Sequence, residues 1–95
     1  MTENAASERR LVHFRGHVQG VGFRYTARQI AAGFDVAGFV ENLADGRVRL
    51  VAEGDSRELD RFIKELSARM AGQIREVQSH ADSATGEFDG FEIRH

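Results

Sequence analysis

The stretch from residue 10 to residue 31, "RLVHFRGHVQGVGFRYTARQIA", changes its hydrophobic period partway along. Over Arg10–Arg15, Val12 and Phe14 face one way while Leu11, His13 and Arg15 face the other, which is strand alternation. From Phe23 onward, Phe23, Ala27, Ile30, Ala31 and Phe34 recur at helical spacing, with Arg24, Arg28 and Gln29 off that stripe. Gly33 is the expected stop. Between the two periods lies "GHVQGVG", with glycine at 16, 20 and 22. A strand feeding a helix through a glycine loop is the opening of a β-α unit.

The pattern continues outward. "DVAGFVEN" alternates, with Val36, Gly38, Val40 and Asn42 on one face and Ala37, Phe39 and Glu41 on the other. Asp45-Gly46 separates it from the alternating "RVRLVAE", a strong hairpin signal. Asp55, with Glu58 three residues later, reads as a capping-box start for a second helix whose stripe is Leu59, Phe62, Ile63, Leu66 and Met70. "QIREVQSH" is a polar strand suited to a sheet edge, Ser83–Glu87 reads as a loop, and "FEIR" closes the chain with Phe91 and Ile93 inward. Phe39, facing away from Val36 and Val40, is expected to be a partly exposed sheet aromatic, and Glu53 to lie on the same exposed face as His13, Arg15, Arg47 and Arg49. The order is β-α-β-β-α-β with one short terminal strand. Two helices cover only one face of such a sheet, so the expected class is α+β: a ferredoxin-like split βαβ (βαββαβ) with a mostly antiparallel sheet.

The chain has 95 residues, enough for a single domain with one modest core. Residues 1–8 are polar and read as a flexible tail, leaving 9–95 as the domain. There is no cysteine, which removes disulfides, thiolate ligands and cysteine nucleophiles and fits a cytoplasmic location. No apolar run approaches the ~20 residues of a membrane span. Net charge is −2, but residues 1–34 carry five arginines and two glutamates, while 35–95 carry eight basic and thirteen acidic residues. A weakly acidic whole argues against non-specific nucleic-acid binding, and a basic first third suits a small anion.

Gly16, Gly20 and Gly22 enter backbone angles that cost other residues, so successive N–H groups can turn towards one point, and such a concavity binds anions. The loop runs into a helix N-terminus, where unpaired N–H groups favour negative charge. Arg24, in the first turn, opposes the helix dipole on its own account but makes sense if an anion sits between them; a guanidinium grips a phosphate with two parallel hydrogen bonds. Tight turns use the same glycines, so spacing alone leaves a purely structural role open. The pattern is neither the Rossmann nor the P-loop fingerprint.

"GHVQGVGFR" resembles the first signature of the acylphosphatase family through Gly16, Val18, Gln19, Gly20, Val21, Phe23 and Arg24. "GFVENLADGRVRLVAEG" resembles its second through Gly38, Phe39, Asn42, Gly46, Val48 and Gly54. The likeness runs from about Leu11 to Ile93. It implies a ferredoxin-like fold and hydrolysis of the carboxyl–phosphate bond of acyl phosphates without metal or cofactor. It also implies site roles. The backbone from Val18 through Gln19, Gly20, Val21 and Gly22 to Phe23 would cradle the phosphoryl oxygens, Arg24 would hold the same group, and Asn42 would position the attacking water. The substrate would be a small acyl phosphate, with inorganic phosphate as product and inhibitor. Apart from the resemblance, charge and hydropathy lead to the expectation of a monomer with no nucleic-acid or membrane partner. Similar domains inside larger maturation proteins meet carbamoyl phosphate, so a weakly active or non-catalytic phosphate-binding module is the alternative.

The chemistry of the residues agrees with the substrate class. An acyl phosphate expels a carboxylate whose conjugate acid has a pKa of about 4, so it leaves without a general acid. Gln19 is expected to brace the loop rather than touch phosphate. Tyr25 is expected on the helix surface or its edge, with contact to the acyl part of a substrate as the weaker alternative; His17 is expected in solvent, and His13, His80 and His95 lack metal-ligand spacing. Glu41 departs from the family's usual residue type, and its negative charge is expected to weaken substrate binding at low salt.

Overall fold

Val12 and Phe14 are wholly buried while Arg15 between strand and loop is exposed, and this alternation fixes which side of the first strand meets the core. The computed structural model describes residues 7–95; the part of the expected tail over residues 1–6 lies outside them. The elements are β1 (Glu8–Gly16), α1 (Phe23–Ala31), β2 (Val36–Asn42), β3 (Val48–Gly54), α2 (Ser56–Arg69), β4 (Ile74–Ser83) and β5 (Phe91–Arg94). They form a five-stranded sheet in the order β4-β1-β3-β2-β5. All neighbouring pairs are antiparallel except β2 with β5. The element order and the mostly antiparallel sheet are those of the ferredoxin-like class expected from the periods.

Both helices lay their apolar stripes on one sheet face. Phe23, Ala27, Ile30 and Ala31 of α1 and Leu59, Phe62 and Leu66 of α2 close over Val12, Phe14, Val40, Val48, Leu50 and Ala52. Aromatic edges lock the layers. The Phe14 and Phe23 ring centres are 4.9 Å apart, and Phe62 meets Phe91 edge-on at 5.5 Å. The polar β4 is the sheet edge, as its composition suggests, and it extends to Ser83, past the expected end.

Helix ends differ in detail from the sequence reading. Asp55 caps α2 by accepting a hydrogen bond from the Arg57 N–H at 2.8 Å. Glu58 does not complete a capping box. Its Oε2 instead accepts from the Asp35 N–H at 2.8 Å, tying the α2 start to the turn before β2. At the end of α1, Ala32 stays right-handed, and the Gly33 N–H donates to the Ile30 carbonyl in a tightened last turn.

The second sheet face is less open than alternation implies. Phe39 is buried, and Glu53, expected in solvent, is only 7 % exposed. The irregular segment 84–90 lies across both. The Phe88 ring sits 5.8 Å from that of Phe39, and the Arg94 guanidinium lies 3.7 Å from the Phe39 ring centre. Glu53 Oε2 accepts from Arg9 Nε at 2.9 Å and from the Thr85 N–H at 2.9 Å, while Oε1 accepts from the Gly86 N–H at 3.0 Å. Burial pushes this carboxyl up, but the Thr85 and Gly86 N–H groups and Arg9 outweigh it, and the net direction is down.

A carboxyl depressed by folding contributes stability above its unfolded pKa, and that stability drains away as pH falls through the folded value. Glu53→Gln is therefore expected to cost about 1.5–3 kcal/mol near neutrality, with the difference from wild type shrinking in acid. Urea unfolding at several pH values checks this; a constant difference at every pH contradicts it.

Gly38 sits where β2 passes between β3 and β5. Its φ is +151°, its N–H donates to the Gly90 carbonyl at 2.9 Å, and a Cβ there would lie 1.9 Å from the Val51 carbonyl oxygen. The obstacle is backbone, so it cannot swing aside. Gly38→Ala is expected to destabilise the fold by about 2–6 kcal/mol, strain and overpacking together. A urea midpoint equal to wild type would contradict that packing.

Candidate active site

The glycine loop is pinned by side chains and freed at the main chain. Val18 and Phe23 are core residues, and Val21 packs against the same cluster. Gly20 and Gly22, between these pegs, adopt φ of +77° and +79°, and a Cβ on either would meet no atom within 4 Å. Their conformations are left-handed and their surroundings are open, so glycine is required there by backbone angle and not by crowding. Gly22 is the N-cap of α1 and brings no side-chain cap, and the first turn holds no acidic residue. Its N–H groups thus lack the acceptors that helices usually supply for themselves.

The side chain of Gln19 braces this loop, as expected. Its Nε2 donates to the Leu43 carbonyl at 2.8 Å and to the Arg47 carbonyl at 3.0 Å. Those two carbonyls belong to the β2–β3 turn, where the Leu43 N–H also donates to the Arg47 carbonyl at 2.8 Å. One amide therefore holds the loop in register with the end of β2, which carries Asn42.

A cavity of about 170 Å³ opens at this junction, lined by Val18, Gly20, Gly22, Phe23, Arg24, Tyr25, Asn42, Ile93 and His95. Arg24 and Asn42, far apart in sequence, meet across it. Arg24 is also tied to β5, because its Nη1 donates to the Arg94 carbonyl at 3.1 Å. Asn42 Oδ1 is buried, and among the described residues no protein group donates a hydrogen bond to it. Four larger surface hollows, among them one of about 550 Å³ beside Arg15 and Arg75 and one of about 400 Å³ along residues 87–94, contain neither Arg24 nor Asn42.

Of the residues expected at the site, Val18, Gly20, Gly22, Phe23, Arg24 and Asn42 line the cavity. Gln19 and Val21 do not, since the side chain of one turns to the β2–β3 turn and that of the other to the core. Tyr25, Ile93 and His95 line it without having been assigned to it. Tyr25 neighbours Arg24 in the first helical turn, which is a local signal. Ile93 and His95 arrive through the parallel pairing of β5 with β2, and no sequence period announces that pairing. His17 is exposed and faces the hollow beside Arg15.

Glu41 has a partner that the sequence reading did not assign it. Glu41 faces Arg49 across the β2–β3 ladder, and Oε2 accepts from Arg49 Nη2 at 2.6 Å and from Nε at 2.8 Å. Two donors of one guanidinium on a single carboxylate oxygen lessen the charge expected to repel substrate. Among the described residues, no group of three or more histidines and acids is placed to hold a metal ion, and no helix is long and apolar enough to cross a membrane.

Comparison with known proteins places this arrangement. The acylphosphatase family model matches residues 11–93. An acylphosphatase from Paenarthrobacter aurescens is 47% identical over 79 residues, covering 82% of this chain and 84% of the relative. The crystal structure of acylphosphatase from Bacillus subtilis superposes with a TM-score of 0.81 at 27% identity, covering 95% of this chain and all of that one (100%). The structure of HypF from T. kodakarensis matches with a TM-score of 0.79 at 27% identity, over 93% of this chain and 12% of HypF.

Proposed function

The chain belongs to the acylphosphatase family, and from that premise we propose that its cavity hydrolyses acyl phosphates to a carboxylate and inorganic phosphate. The main-chain N–H groups from Val18 to Phe23 and the Arg24 guanidinium receive the phosphoryl oxygens. Asn42 Oδ1 accepts a hydrogen bond from water and aims its oxygen at phosphorus. The water oxygen bonds to phosphorus as the bond from phosphorus to the acyl oxygen breaks. The bonding pair leaves with the carboxylate, and the proton released by water ends on the phosphate.

Little more is needed. The leaving carboxylate is the conjugate base of an acid of pKa about 4, so no general acid has to meet it. Positioning and electrostatic stabilisation then carry the catalysis, as they do across phosphoryl transfer. The observation that bears most of this reading is that Arg24 and Asn42 line one cavity together with the glycine loop at the start of α1. Inorganic phosphate, the product, fits the same nest and is expected to inhibit. The working form is read as a cytoplasmic monomer, in keeping with a chain free of cysteine.

The test is hydrolysis of acetyl phosphate and benzoyl phosphate with excess chelator, with and without inorganic phosphate. Turnover that survives chelation and falls competitively with phosphate supports the proposal. Phosphate binding without turnover would make the domain a binding module instead.

A further inference from the structure

Tyr25 is 54 % exposed, one of two large apolar side chains in solvent among the described residues, yet it is held in place. Gln29 Nε2 donates to its hydroxyl at 3.2 Å, and the Arg28 guanidinium lies 5.6 Å from its ring centre. These partners stand four and three residues further along α1, the spacings at which helical side chains meet. An exposed ring fixed by two neighbours on its own helix is ordered before any ligand arrives, which lowers the entropy cost of packing against it.

The position of the ring gives that order a use. Tyr25 lines the same cavity as Arg24 and Asn42, with Ile93 and His95 also in the wall. Successive residues of a helix point about 100° apart, so Arg24 and Tyr25 serve different parts of the cavity. In an acyl phosphate the acyl carbon is one oxygen away from phosphorus. With the phosphoryl group on Arg24 and the loop amides, the acyl group must therefore lie within the same small cavity or at its rim. Of the apolar side chains in the lining, Val18 and Phe23 are core residues almost wholly buried, whereas the ring of Tyr25 is largely exposed and Ile93 half-buried, so these two offer the acyl group apolar surface.

Resting on the proposed function, we propose that Tyr25, fixed by Arg28 and Gln29, is the specificity-determining residue for the acyl group and favours planar, aromatic acyl phosphates. Benzoyl phosphate lays its ring on that of Tyr25; acetyl phosphate is too short to gain the contact. The contact is present in the bound substrate and persists to the transition state, so it acts mainly on KM.

The test compares kcat/KM for benzoyl phosphate and acetyl phosphate in wild type, Tyr25→Ala and Tyr25→Phe. Tyr25→Ala is expected to lower the benzoyl-to-acetyl ratio roughly 3- to 10-fold, the scale of one aromatic contact, chiefly through the KM of benzoyl phosphate. Tyr25→Phe, which keeps the ring, is expected to hold the ratio near wild type. Inhibition by inorganic phosphate, which has no acyl group, is the control that a general disturbance of the loop would move. An unchanged ratio in Tyr25→Ala overturns the inference while leaving the proposed function standing, and so does weakened phosphate inhibition that accounts for the whole loss. A wild type that hydrolyses neither substrate overturns both.

Discussion

Arg24→Ala is expected to lose phosphate binding and acyl-phosphate turnover together. In the proposed reaction the guanidinium carries the full positive charge of the cavity, and its two parallel N–H donors match two phosphoryl oxygens. The loop amides contribute partial charges only, and they are held by other residues, so they remain after the substitution. Arginines that stabilise a transferring phosphoryl group are worth about 10³–10⁵ in rate, and a fall in kcat/KM of at least roughly 10³-fold is the expected result here. Phosphate inhibition is expected to weaken in parallel, because the same contact serves ground state and transition state. Arg24→Lys keeps the charge and loses the fork, and should fall between the two. The fold should survive, since among the described residues this side chain's hydrogen bond goes to the Arg94 carbonyl at the exposed end of β5. Turnover within a few-fold of wild type in Arg24→Ala would remove the guanidinium from the site.

Asn42→Ala is expected to separate what Arg24→Ala loses together. The role given to Asn42 is to orient water, which the transition state requires and bound phosphate does not. The expected result is a drop in kcat of about 10²–10³-fold with phosphate inhibition changed little. Stability makes a second prediction from the same atom. Among the described residues no protein group bonds Asn42 Oδ1, so deleting it breaks no hydrogen bond of the fold through that atom. The variant should be as stable as wild type or more so, the usual exchange at a site kept for function. If Asn42 were merely structural, its loss would lower stability and leave kcat alone. Steady-state kinetics and urea unfolding on the one variant decide between these.

The local parts of this molecule are legible in its sequence because they are written by neighbours. Val12 and Phe14 against Leu11 and His13 declare a strand, and Phe23, Ala27 and Ile30 declare a helix, since each period depends on a few adjacent dihedral angles. The glycine loop is legible as a possible nest for the same reason. What escapes is set by distant pairing. Phe39 and Glu53 read as exposed because alternation knows nothing of residues 84–90, which fold back over them through Phe88 and the Thr85 and Gly86 N–H groups. Ile93 and His95 enter the cavity because β5 pairs parallel to β2, a register that leaves no local trace. Asn42 came from a resemblance to a family signature; in physical terms its place depends on the hydrogen bonds of Gln19 to the β2–β3 turn.

Glu41 shows a different limit. Its charge is plain in the sequence, and its pairing is a matter of register, because the β2–β3 hairpin sets it against Arg49. A charge counted without its cross-strand neighbour predicts repulsion; counted with it, the pair presents little net field to an anion nearby.

The most direct measurement is a titration of inorganic phosphate into the ¹⁵N-labelled protein, followed amide by amide. Saturable shifts concentrated in the backbone of residues 18–24 and in the Asn42 side-chain amide, and lost in Arg24→Ala, are the predicted result. A titration that leaves those amides still while moving others, such as those around Arg15 and Arg75, would contradict the account.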